Sequence, residues 1–486
     1  MAGQTSQEPL KTQQKCIAIF ALVCCSAVLL ALIFSSVDIW GDSEDGITEE
    51  NCSRDCRIVL VENIPNNLFL PTDGKPNLPL SAGFHTLLDQ AKHSIELVSP
   101  VWDLNSWDVE TTPGIAKQGQ LLFQSLLSLK SRGVKLKIAS SLINSAELKT
   151  LAAHDAEVHF VNMTVFTRGG LHSSFWIVDR KHIYIGSADM DWRSLVKRKE
   201  LGVMVYNCSC LALDLHRVFS FYWQLHQRDY IPSIWSKRVT ALYSRHEALE
   251  LQLNSTQASA YVSTSPELFC PKDRTRDIDA IYQVIQSAKT FIFISVTDYL
   301  PLVSRRYRGT SVTRYWSPID EVIREAVVLR RVTVRLLVSF WKKTHPLTFN
   351  FVTSLKSLCI HLHNCSLEVR FFSHKDQKDD MQYFLNHNKY VVTDNALYIG
   401  NHDWVGSDFA INAGVGLVIQ MKNSLKNSGV TILEQVKAAF ERDWRSRYAK
   451  NLQGGKDQDG KYRHLRKTKK VMETKEENEW NYPLSL

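Results

Sequence analysis

The chain has 486 residues, 44% of them hydrophobic and 22% charged, with a formal charge of +8. Those proportions are ordinary for a globular protein and exclude a low-complexity or wholly disordered chain. The length is enough for two lobes rather than one core.

Residues 1–15 read as a short cytoplasmic tail. Cys16–Val37 is apolar or small throughout and carries no charge, long enough for the ~20 residues that cross a bilayer as a helix. Lys11 and Lys15 precede it; Asp38, Asp42, Glu44, Asp45, Glu49 and Glu50 follow it. That asymmetry predicts a signal anchor with its amino terminus inside, a single-pass type II arrangement. A cleaved signal peptide fits less well, because its apolar core is normally ~7–15 residues and no small-x-small site follows. Residues 38–51 read as a stalk, placing the bulk of the chain in a lumen, from endoplasmic reticulum to endolysosome, or at the cell surface.

The remainder divides into two parallel halves, residues 52–250 and 251–450. Residues 82–97 and 278–294 each read as an amphipathic helix running into a strand. Helices are predicted next over 118–133 and 319–331, then β-branched strands over 134–139 and 332–338. Short strands over 158–162 and 367–372 lead into strand–turn–strand units at 175–185 and 390–399. A further strand (201–206, 414–419) and a closing helix (210–224, 431–446) complete each half. Strands alternating with helices predict an α/β fold of two pseudo-twofold-related lobes, each a mixed sheet flanked by helices. Arg305, Arg306, Arg308 and Arg314 read as a solvated basic loop, and residues 451–486 as a charged, disordered tail.

Cys16, Cys24 and Cys25 lie at or in the apolar span, where packing is the plain reading and palmitoylation the functional one. Seven cysteines remain beyond it: Cys52, Cys56, Cys208, Cys210, Cys270, Cys359 and Cys365. An oxidising lumen favours disulfides over zinc for Cys52, Cys56, Cys208 and Cys210, in two bridges tying the amino-terminal strand to the first lobe. Their connectivity stays open, and the odd number leaves at least one thiol over. N-x-S/T sequons begin at Asn51, Asn162, Asn207, Asn254 and Asn364, as suits a glycoprotein.

The two halves also share a motif, offset by 215 residues at its histidine. The second copy runs Asn386-His387-Asn388-Lys389, Asp394, then Gly400-Asn401-His402-Asp403; the first runs Leu171-His172-Ser173-Ser174, Asp179, then Gly186-Ser187-Ala188-Asp189. A duplicated H-x-K-x4-D resembles the phospholipase D superfamily. With Cys52-x3-Cys56, Asp191-Trp192-Arg193-Ser194 and Asn386–Tyr390, the match looks closest to its type II membrane branch, which includes lysosomal single-strand 5′-exonucleases. The resemblance covers about Cys52 to Tyr448. It implies that one histidine attacks phosphorus to form a phosphohistidine while the other protonates the leaving oxygen and then activates water. Two lysines and neutral Asn or Ser donors would hold the phosphoryl oxygens, with no cofactor.

Several positions depart from that pattern. Ser174 stands where a lysine is expected, Asp189 and Asp403 where asparagines are, and His402 replaces a serine. The formal charge of the pocket thereby changes by about −3, which disfavours a phosphate dianion. Glu200 resembles the family's histidine-orienting carboxylate, but its counterpart is Asn412. Asp179 and Asp394 sit between strands and read as turn residues. These losses resemble the branch's catalytically inactive member and imply a pseudoenzyme with a binding or regulatory role, as a homodimer or with related proteins, nucleic acid not being turned over. The alternative is a weak acid-pH single-strand exonuclease or phosphodiesterase acting through phosphohistidine. No metal is implied by the resemblance, although His172, His387, His402, Asp189 and Asp403 are of ligand type and converge in this reading.

Overall fold

The computed structural model describes residues 18–28, 52–71, 76–106, 114–231, 238–307, 310–373, 385–422 and 430–451. Residues 18–28 form an exposed helix. No helix among the described residues is long and apolar enough to cross a membrane. The rest of the expected span 16–37, with the stalk and the charged tail after residue 451, lies outside the described residues.

Two sheets are built on one plan. In the first, the order is Arg57–Asn63, Glu200–Tyr206, His182–Gly186, Phe175–Val178, Ser94–Ser99, Lys135–Ser141, Glu157–Val161. In the second the matching seven strands run Thr256–Ser265, Gly414–Met421, Ala396–Gly400, Tyr390–Thr393, Phe291–Val296, Thr333–Ser339, Leu367–Phe372, flanked by Leu249–Leu253 at one edge and Ala449–Lys450 at the other. In each, the last three strands of this order are parallel to one another and the other neighbouring pairs antiparallel. These are mixed sheets with matching strand orders, as the repeat predicts. The motif strands Phe175–Val178 and Tyr390–Thr393 are buried at every residue, because packed layers cover both of their faces. Trp176, for example, stacks on Phe84 of the helix Leu80–Gln90 at 4.7 Å between ring centroids.

One apolar core joins the halves, with Phe175, Ile185 and Val203 in the same cluster as Val262, Leu397 and Val415. Main-chain bonds then cross between halves beside each motif. His172 N–H donates to Ala413 O (2.8 Å) and Ala413 N–H to Gly170 O (2.9 Å); His387 N–H donates to Lys199 O and Lys199 N–H to Leu385 O, both at 2.8 Å. Glycine is required at residue 169, where a Cβ would lie 2.0 Å from Ile411 O. Each motif histidine is thus carried on backbone pinned to the opposite half. A buried ion pair, Lys199 Nζ to Asp443 at 2.6 Å, sits at the second of these seams, and Arg442 extends it to Glu62 at 2.7 Å.

Among the described residues three disulfides are present: Cys52–Cys210, Cys56–Cys208 and Cys359–Cys365. The bridged thiols leave no zinc site in the first two pairs. Cys270 is free and half-buried, and Cys24 and Cys25 are free and exposed. Among the sequons, Asn207, Asn254 and Asn364 are exposed and Asn162 half-buried; Asn51 lies outside the described residues. The Asn254 carboxamide is already engaged, donating to Ile58 O (2.9 Å) and accepting from Ile58 N–H (3.0 Å).

One expectation is corrected. The arginine-rich stretch is not a loop but an antiparallel hairpin, Leu302–Tyr307 with Thr310–Tyr315. Its β-branched residues Val303, Thr310, Val312 and Thr313 favour pairing, which the run of charge obscured.

Candidate active site

The two motif histidines reach one pocket by equivalent routes, each at the entry to a buried strand. His387 is oriented by the opposite half: its Nδ1 lies 2.9 and 3.1 Å from the two Glu200 carboxyl oxygens. Glu200 is fully buried and also accepts from the hydroxyls of Ser187 and Ser194 (2.5 and 2.8 Å). Burial raises its carboxyl to about 8. His172 has no such partner among the described residues. At the position of the second carboxylate, Asn412 accepts from Gly170 N–H (2.8 Å) and donates to Asp408 (2.9 Å), so its amide serves the backbone.

The phosphate cradle is altered on both sides. Ser174 is 1% exposed and its hydroxyl donates to Ala188 O at 2.6 Å, so it offers neither charge nor a free donor. Lys389 remains, with its Nζ 3.6 Å from Asp403. Burial works against the ammonium, but Asp403 and Asp189 more than offset it and hold its pKa above the ordinary lysine value. Asp403 is fixed from behind, accepting from the backbone N–H groups of Thr297 (2.8 Å) and Asp298 (3.2 Å). An internal carboxylate therefore occupies the lysine that the motif supplies for phosphate. Asp189 lies close enough to feel His387 and Lys389, and burial raises its carboxyl to about 6.

Both motif histidines are depressed to about 3, chiefly by burial and then by the Lys389 charge. Both effects favour the neutral imidazole, which suits a nucleophile and disfavours a histidine general acid. His402 is buried, its Nε2 bonded to the Ser265 hydroxyl, and burial lowers its pKa well below the ordinary value. Asn401 does not face the pocket: its amide donates to Ser174 O (3.2 Å) and Gly186 O (2.8 Å) and accepts from Val415 N–H.

Asp179 and Asp394 lie at the far ends of the motif strands from the histidines. Asp179 accepts from Lys92, His93 and Ser94 N–H at 2.7–2.8 Å. Asp394 accepts from Lys289, Thr290 and Phe291 N–H. Each closes a turn against the neighbouring strand and touches no pocket group. Of the residues singled out as possible metal ligands, only His172 and His402 approach one another as such, joined by Asp408 rather than by His387, Asp189 or Asp403. Three pocket residues escaped the sequence reading. Arg198, whose charge bears on Asp189, Glu200 and His387, sits 3.2 Å from Asp191. Asp298 is raised to about 8 by burial and Asp403. Asp408 could have been found by aligning the halves, since it takes the place of Ser194 five residues after the paired aspartates Asp189 and Asp403.

Two α/β lobes that each send a histidine motif into a shared pocket define the class of duplicated, two-lobed α/β folds. Residues 72–377 match a family described as "PLD3/4, PLD-like domain". The chain is 53% identical over 451 residues to mouse "Inactive phospholipase D5", covering 91% of this chain and 82% of that protein. The human protein of the same name is 52% identical over the same length. The Xenopus laevis "5'-3' exonuclease PLD3" is 38% identical over 441 residues, covering 89% of this chain and 88% of that one. Among solved structures, a phosphatidylserine synthase from Haemophilus influenzae shares the fold, with a TM-score of 0.50 at 13% identity over 81% of this chain and 91% of that one. The chain belongs to the phospholipase D family, in its PLD3/4-like group.

Proposed function

We propose that this chain is a phospholipase D-like pseudoenzyme, a membrane-anchored glycoprotein that retains the fold and performs no phosphodiester turnover. The observation that carries the reading is the ion pair between Lys389 and Asp403, which neutralises the one lysine left in the motifs. The loss of the second lysine at Ser174 and of the His172-orienting carboxylate at Asn412 adds to it. The likeness to proteins named inactive phospholipase D5 supports the same conclusion.

In this reading the span 16–37 anchors the chain with its bulk lumenal or extracellular. Its role is to bind or regulate, through a second copy or a related protein, rather than to degrade nucleic acid. Weak acid-pH hydrolysis is the competing reading, and the raised Asp189 carboxyl favours it, since acid would neutralise that charge. Against it, burial and the Lys389 charge favour the neutral form of both His172 and His387, which disfavours a histidine as the general acid.

The test is reconstruction. Ser174→Lys alone should leave the protein inactive on single-stranded DNA, because Asp189 and Asp403 still oppose the phosphate. Activity restored by that single change would overturn the electrostatic account.

A further inference from the structure

His402 has no counterpart in the first half, where Ala188 takes its place. It is not a loosely held filler. Gly414 makes room for it, since a Cβ there would lie 2.0 Å from His402 Nε2. The tautomer of the ring is set by a relay behind it. The Ser265 hydroxyl donates to Asp277 at 2.8 Å, so its oxygen accepts from His402 Nε2–H. The lone pair of the ring then lies on Nδ1. That nitrogen is buried and makes no hydrogen bond of normal distance and angle to a described residue, although the Asn412 main chain bears on the ring, in a side chain that is 2% exposed. A histidine whose far N–H is tied through a hydroxyl to a carboxylate, with its other nitrogen left bare, has the outer-shell arrangement of a metal ligand.

The neighbours complete the set. One ligand atom from each of His172, His402 and Asp408 lies within 4.8 Å of the others, and the two rings are 5.8 Å apart at their centroids. The His172 ring makes no hydrogen bond to a described residue, unlike His387, which is held by Glu200. Each Asp408 oxygen accepts one hydrogen bond, from Asn412 Nδ2 (2.9 Å) and Asp403 N–H (3.2 Å), and keeps a lone pair free. Two imidazoles and one carboxylate with an open position suit a four-coordinate divalent ion of the zinc class, with water as the remaining ligand.

We propose that His172, His402 and Asp408 bind one divalent transition-metal ion, a site that goes beyond the loss of phosphodiester chemistry. The three residues come together only because the degenerate second motif adds His402 and Asp408 beside the surviving first histidine.

The test uses the full-length protein in detergent, stripped with chelator and titrated with Zn2+ alone. The expected result is one zinc per chain with a Kd of ~1 µM or tighter. Cobalt in its place should give the visible absorption of a tetrahedral site. His402→Ala and Asp408→Asn should each weaken binding at least about tenfold and abolish the cobalt spectrum. Asp189→Asn should leave affinity unchanged. Should His402→Ala fail to fold, Asp408→Asn, which keeps an acceptor for Asp403 N–H, decides the matter. No stoichiometric zinc on the wild type, or wild-type affinity in Asp408→Asn, would overturn the proposal. The readout is metal, so either outcome stands apart from the question of turnover.

Discussion

Replacing Asp403 by asparagine should turn the pocket back towards an anion site. The Asp403 carboxylate lies 3.6 Å from Lys389 Nζ, with side-chain exposures of 15% and 9%. At an effective dielectric of ~20, unit charges at that separation interact by about 5 kcal/mol. Much of this is offset by solvent, by relaxation of the lysine and by the other carboxylates nearby, leaving about 2 kcal/mol. Asparagine keeps the oxygen that accepts from Thr297 and Asp298 N–H, so the turn should survive. Freed of its partner, Lys389 should bind inorganic phosphate about 30-fold more tightly, since 1.4 kcal/mol is tenfold. Isothermal titration of wild type and Asp403→Asn with phosphate reads the difference directly. A folded Asp403→Asn protein with wild-type phosphate affinity would refute the argument that the internal carboxylate neutralises this lysine.

Asp214→Ala leaves the fully buried Arg274 guanidinium without its partner at 2.6 Å, and should cost about 3–5 kcal/mol in denaturant unfolding. Asp179→Ala removes the acceptor of three backbone N–H groups and should lower stability by ~2–4 kcal/mol while phosphate affinity stays unchanged. Joint replacement of Cys52, Cys56, Cys208 and Cys210 by serine opens both parallel links, across 158 and 152 residues, and should cost about 2–4 kcal/mol, read as a fall in Tm; removing either pair alone leaves the loop closed by the other and should cost less. Stability should also fall between about pH 6.5 and 8. There histidines with lowered pKa values are neutral both folded and unfolded, whereas Glu200, raised to about 8 from 4.5, keeps in the folded state a proton that the unfolded chain has released. Rising pH removes that stabilisation, and Glu200→Gln should flatten the slope by up to ~1.4 kcal/mol per pH unit.

Most of the fold was legible because the repeat supplied two copies of each signal. The helix at 82–97 and its partner at 278–294 carry strong apolar spacing, and both appear with their following strands. The strand Thr256–Ser265 of the second sheet was not legible. Its residues Thr-Gln-Ala-Ser-Ala-Tyr-Val-Ser-Thr-Ser are small and polar, yet eight of the ten are buried under packed helices. Hydroxyls there are satisfied inside, as Ser263 and Ser265 donate to Asp277, so polarity did not mean exposure. In the site, His172, His387, Glu200 and Lys389 could be placed from the motifs. That Ser174 turns away, that Asp403 meets Lys389 and that Asp408 joins His172 and His402 depend on side-chain direction across the seam, which no linear spacing encodes.

The central claim is that this pocket no longer cleaves phosphodiesters. Its most direct test incubates the full-length protein with 5′-labelled single-stranded DNA from about pH 4.5 to 7.5, a range spanning the ordinary carboxylate and histidine values, beside the Xenopus laevis exonuclease as a positive control. The account predicts no cleavage above background at any pH, with His387→Ala indistinguishable from wild type. Cleavage by the wild-type protein that His387→Ala abolishes would contradict it.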